Sequence, residues 1–131
     1  MISTQIRIAK VGTVCVPVSD QDRALEFYVD GLGFEKRTDV PFGGGYRWIE
    51  VAPAGADTTI AIVPPPPGKP TGNMETGIAL HTGDIEADHR ALKERGIDID
   101  AEISRMGDPV PPMCWLRDPD ANTLMLVAAA D

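Results

Sequence analysis

Few side chains in this sequence are suited to acid–base or nucleophilic chemistry. There are two histidines, His81 and His89, and two cysteines, Cys15 and Cys114. His81 is a candidate general acid or base, since an imidazole titrates near neutrality. Cys15 would need a neighbouring cation or histidine to lower its pKa before it attacked anything. Glu50 stands two residues from Trp48 in "YRWIEV", which on a strand puts carboxylate and indole on one face, opposite Arg47, Ile49 and Val51. Met113 and Trp115 share a face in "PMCWLRDP", and Met125 lies in the strand after the turn Asp118-Pro119-Asp120-Ala121-Asn122. Aromatic and methionine side chains with one carboxylate can wall a small-molecule pocket, and they can equally be core packing. There is no G-x-S-x-G and no H-E-x-x-H, and the glycines of "PFGGGYR" lie between strands as a hairpin turn, not as a phosphate cradle.

Composition narrows the classes. The 131 residues suffice for one domain with a proper core. A net charge of −8 with 12 scattered basic residues excludes a phosphate-binding surface, so no nucleic-acid partner is expected. No apolar run reaches membrane-spanning length, and "MISTQIRIAK" shows neither the apolar stretch nor the cleavage site of a signal peptide. A cytoplasmic chain with reduced cysteines and no membrane partner is the expectation.

The elements that must position these residues occur twice. Val14, Val16 and Val18 alternate as in a strand, Ser19 and Asp20 offer an N-cap, and "DQDRALEFYVDGLGF" has helical spacing up to Gly31 or Gly33. Sixty-four residues later Ile78 and Leu80 alternate with Gly77, Ala79 and His81. Asp84 then caps "IEADHRALKERG", with Ile85, His89 and Leu92 on the inner stripe and Gly96 at the end. The first copy continues with strands in "FEKRTDV", "YRWIEVAP" and "TTIAIVP", the second with "IDIDAEISR", "PMCWLRDP" and "NTLMLVA". The prediction is one α+β domain over residues 1–131, made of two tandem βαβββ modules. Module one spans about 9–64, a proline-rich linker about 64–75, and module two about 76–130.

One helix covers only one face of its sheet. The large aliphatics Val14, Val16, Val18, Ile60, Ile62, Ile78, Leu80, Leu124 and Leu126 should face the helices, leaving Thr13, Cys15, Ala61, Val63, Gly77, Ala79 and Met125 on the other side. Two such sheets brought together would curl around a cleft into which Met125 looks. His81 has the parity of that face, at its end. The loop "SRMGDPVPPM" is placed to form a rim.

"VPVSDQDRALEFYVDGLGFE", the doubled βαβββ layout and "RDPDANTLMLV" resemble the vicinal oxygen chelate superfamily of glyoxalase I, extradiol dioxygenases and bleomycin-resistance proteins. The resemblance implies a divalent metal held by His, Gln or Glu on the first and last strand of each module. The corresponding positions here are Thr13, Ala61, Gly77 and Met125, which are not a credible donor set, so neither metal nor cofactor is expected. Ala121 also replaces the glycine usual in that turn. The resemblance then implies a metal-independent protein that binds a bulky antibiotic or natural product, as a homodimer sharing clefts between chains. Thr13, Cys15, Trp48, Glu50, Ala61, Gly77, Met113, Trp115 and Met125 would line the ligand site. The alternative is a lyase, isomerase or dioxygenase-like enzyme acting on a small carbonyl or thiol conjugate, with Glu50 or His81 as base. The linker length permits modules to pair within one chain or between two.

Overall fold

The computed structural model describes residues 5–129. The first four residues of the N-terminal stretch, and the expected end of module two at residue 130, lie outside the described residues.

The chain enters β1 (Thr13–Pro17), whose alternating valines turn toward the core. The Asp20 carboxylate accepts the Arg23 N–H at 3.1 Å and starts α1 (Gln21–Glu26), as its capping position requires. The helix then widens into a π-turn over Phe27–Gly31 and closes through Gly33 at φ 81°. Strands β2 (Glu35–Gly43) and β3 (Tyr46–Ala52) form a hairpin around Gly43, Gly44 and Gly45, all at positive φ, where a side chain would be strained. Strand β4 (Thr59–Val63) completes a sheet of order β1-β4-β3-β2, with β1 and β4 parallel.

The second half repeats the scheme. After β5 (Glu75–Thr82), the Asp84 carboxylate accepts the Ala87 N–H and starts α2 (Ile85–Glu94). Strands β6 (Met113–Arg117) and β7 (Thr123–Ala128) complete a three-stranded sheet of order β5-β7-β6. The strand expected over "IDIDAEISR" is reduced to two isolated bridges, Ile99 to Leu116 and Ser104 to Met113. At Asp100 the ladder is half-made, since the residue's backbone N–H donates to the Trp115 carbonyl at 2.9 Å. Its carbonyl goes to His89 Nε2 at 2.8 Å, and its carboxylate, not its backbone, accepts the Trp115 N–H. The same carboxylate holds Arg117 at 2.7 Å.

The helix-facing sides of both sheets belong to one hydrophobic cluster. Val16, Val18, Tyr28, Ile49 and Ile62 of the first half pack in it with Leu116, Leu124 and Leu126 of the second. Complete burial of each large aliphatic is worth about 1.5–3 kcal/mol. A polar latch reinforces this join at the turn before β7. The fully buried Asn122 donates from Nδ2 to the Pro17 carbonyl and to the Asp118 carboxylate, both at 3.0 Å. Tyr28 Oη donates to the same carboxylate at 3.3 Å, and Ser19 donates through its N–H and hydroxyl to Asp120. Burial, then the Asp118 charge, pushes the Tyr28 phenol far above its ordinary pKa, so it stays a donor. The linker closes over this turn at Gly72, where a Cβ would collide with the Asp120 carbonyl oxygen. Among the described residues no helix is long and apolar enough to cross a membrane.

Candidate functional site

The residues left uncovered by the shared core form two open sheet faces. On the first sheet, Cys15, Ala61, Glu50 and Thr38 lie side by side across β1, β4, β3 and β2. Trp48 lies opposite Val40 in the neighbouring row. Trp48 and Glu50 therefore share the open face, while Ile49 and Val51 on the other side are fully buried. Thr13 and Cys15 are exposed on it, and Ala61 is fully buried beneath its neighbours, a floor and not a contact surface.

Glu50 is fixed by two donors. Its Oε1 accepts the Thr59 hydroxyl at 2.6 Å, and its Oε2 accepts Trp48 Nε1–H at 2.7 Å. The Thr13 and Thr59 hydroxyl oxygens are 3.2 Å apart; because Thr59 gives its proton to Glu50, Thr13 is the donor of that pair. The two hydrogen bonds, Thr59's the larger, outweigh desolvation and hold the carboxyl below its usual range. Such a group is a fixed anion. It is poorly suited to take a proton, since protonation would cost it one of its donors.

Phe42 meets Trp48 edge to face, with centroids 5.7 Å apart, extending the aromatic wall. Phe42 and Thr59 are site residues that the sequence reading omits, as are Thr38 and Val40 beside them. Phe42 had a signal in its alternation with Val40 across the hairpin from Trp48; Thr59 had one in its i, i+2 relation to Ala61.

On the second sheet, Ala79, Met125 and Trp115 are in register across β5, β7 and β6, and His81, Val127 and Met113 form the next row. Met125, Trp115 and Met113 are half-buried, while Ala79 and His81 are exposed. Gly77 sits at a register shift in β5 with φ 71°. His89 is on the helix, bonded to Asp100, and belongs to the scaffold. Both cysteines are free, and burial, then Asp100, raises the Cys114 thiol pKa.

The four metal-ligand positions hold a hydroxyl, a methyl, a hydrogen and a thioether. Among the described residues no group of three or more His, Cys, Asp or Glu is placed to hold a metal ion. This donor set does not fit a hard or borderline divalent metal.

A family model of the glyoxalase/bleomycin resistance protein/dioxygenase superfamily matches residues 10–126. The chain belongs to this superfamily. It is 32% identical to YetH of Bacillus subtilis (strain 168), an uncharacterized protein, over 91% of this chain and 98% of that one. Among solved structures it is similar to TnmS3, an antibiotic binding protein from Streptomyces sp. CB03234, with 37% identity, a TM-score of 0.83, and coverage of 96% and 100% of the two chains. A superfamily member from Sphaerobacter thermophilus DSM 20745 has the same identity and a TM-score of 0.84, covering 93% and 98%. The α+β fold of paired sheets with few helices is that of these neighbours.

Proposed function

We propose that this superfamily member is a metal-independent binding protein that sequesters a bulky antibiotic or natural product on its open sheet faces. The observation that carries this reading is the exchange made on those faces. Metal-ligand positions are occupied by Thr13, Ala61, Gly77 and Met125, while Trp48, Phe42, Trp115 and Met113 supply flat or adaptable apolar walls. Glu50, fixed and anionic, is suited to accept a hydrogen bond from a ligand or to orient it. The similarity to TnmS3 supports the same direction. The enzyme alternative loses one of its two candidate bases, because both Glu50 oxygens are already engaged.

The proposal includes a homodimer. Within one chain most of the helix-facing sides of the sheets is spent on the common core, and each open face supplies one wall of a cleft. A second copy would supply the opposing wall.

A thermal-shift panel followed by tryptophan fluorescence tests the reading. Bleomycin-type and other bulky antibiotics, thiol conjugates, and Mn, Fe, Ni and Zn ions are compared. A ligand at a hundred times its Kd adds about 2.7 kcal/mol of stability. Saturable stabilisation by an organic compound, lost in Trp48→Ala and Trp115→Ala, is the expected result. Stabilisation by a divalent metal, with turnover of a carbonyl or thiol conjugate, would return the chain to the enzymes of the superfamily.

A further inference from the structure

The two halves are related by the repeat, but their turns are not used alike. In the second half the turn Asp118–Asn122 closes down on the end of β1 through Pro17 and on Ser19 at the helix cap. The repeat matches Pro17 with His81, and that turn with Pro53–Asp57 before β4. Among the described residues no hydrogen bond joins the first turn to the end of β5. In place of such a bond is a cleft of about 550 Å³ between Pro53–Thr58 and Ile78–His81.

The gap is built, not loose. Arg37 holds the turn from its outer side, donating to the Pro53 and Ala56 carbonyls, both at 2.9 Å. The Thr58 hydroxyl donates to the Val11 carbonyl at 2.9 Å. All three tethers lie within the first half, so the turn stands away from β5 on fixed supports. The cleft floor is aliphatic, made by Val14, Ile60, Ile78 and Leu80, the helix-facing residues of both sheets. Asp57 of the turn and the β5 segment up to His81 line its mouth, with the His81 side chain on the opposite, open face of that strand. Asp57 is exposed and makes no ion pair among the described residues.

We propose that this cleft is a second small-molecule site, separate from the open sheet faces, for a compact apolar cation whose hydrocarbon body lies on the aliphatic floor and whose ammonium pairs with Asp57. The volume lies in the range of ligand pockets, about 300–1,000 Å³, and an apolar floor with few polar groups is their usual make-up. The chain's charge of −8 favours cations over anions at such a mouth. The site does not depend on the function proposed for the open faces, since it uses neither tryptophan and neither methionine of those faces.

The probe is naphthylmethylammonium, with naphthylmethanol as its neutral match, titrated into the full chain by calorimetry and by NMR. One ammonium binds per chain, about tenfold more tightly than the alcohol, and shifts the methyl signals of Val14, Ile60 and Leu80 while the Trp48 and Trp115 indole signals stay in place. Asp57→Asn erases the difference between the two compounds. Ile78→Trp fills the floor and abolishes both; Ala54→Trp, on the exposed turn, does the same without touching the core. Absence of saturable binding, or shifts confined to the indoles, would overturn the proposal. So would a dimer that dissociates in sedimentation when Ala54→Trp is introduced, because the cleft would then be an interface between copies.

Discussion

Replacing Asn122 by alanine should separate the two halves of the molecule energetically. The side chain is fully buried and makes three bonds: to the Pro17 carbonyl, to the Asp118 carboxylate, and from the Met74 N–H at 3.3 Å. An ordinary hydrogen bond contributes about 1 kcal/mol net and one to a charged group about 1.5–3 kcal/mol, so the lost bonds alone amount to about 3–5 kcal/mol. The void adds to this, since alanine leaves much of the amide's space unfilled. In a protein of this size each kcal/mol lowers the melting temperature by about 3–6 °C, which places the variant roughly 10–30 °C below the parent. Of the three bonds the one to Pro17 crosses between the halves, while the Asp118 bond holds the turn itself and the Met74 bond ties down the linker over it, so the join loses its direct bond and the turn that presents it. Each half carries one tryptophan, Trp48 or Trp115. Urea unfolding of Trp48→Phe and Trp115→Phe backgrounds therefore reports the halves separately, and in Asn122→Ala the two transitions should move apart. Tyr28→Phe removes one bond at 3.3 Å to the Asp118 carboxylate and should cost about 1.5–3 kcal/mol, less than additively with Asn122→Ala because both bond Asp118. A parent-like midpoint and coincident transitions in Asn122→Ala would refute the latch.

Ala121→Gly should stabilise the protein. Ala121 sits at φ 62°, where alanine costs about 1–2 kcal/mol, offset by the about 0.4–1 kcal/mol of unfolded-state entropy that glycine adds. A net gain of about 0.5–1 kcal/mol, read from a raised urea midpoint at constant slope, is expected. The pH dependence should expose Glu50. Its folded pKa lies below its unfolded value, so its stabilisation is complete above the unfolded pKa near 4.3 and is lost as pH falls through the folded one. Glu50→Gln should flatten the stability profile in that acid window and alter Trp48 fluorescence there; an unchanged acid limb would show that the Thr59 and Trp48 bonds do not fix the carboxylate.

Much of the scaffold was legible because its signals are local. The caps at Asp20 and Asp84 act over three residues, and the alternation of Val14, Val16 and Val18 acts over two. Glycine at 33 and 96 ends each helix for reasons internal to one turn. The strand misread over "IDIDAEISR" failed for the opposite reason. Its alternation is real, but His89 from the helix takes the Asp100 carbonyl and the Asp100 carboxylate takes the Trp115 N–H, so only one of the two backbone bonds of that pair forms. Phe42 was hidden by its place beside three glycines, which read as turn until the hairpin brought it against Trp48.

By itself the sequence determined the duplicated α+β plan, the pairing of Trp48 with Glu50 and of Met113 with Trp115 on common strand faces, and the missing metal donors at Thr13, Ala61, Gly77 and Met125, but not whether Trp48 and Trp115 face the core or the open side. What it did determine follows from residue type and from periods of two and three to four. Only the tertiary structure decided that Glu50 is locked by Thr59 and Trp48, that Asn122 joins the halves through Pro17, and that the matching turn at Pro53–Thr58 stands open. Strand register sets the first, and the second links residues 105 apart in the chain. Such partners are chosen by the packing of one element on another, and periodicity along a strand carries no record of that choice.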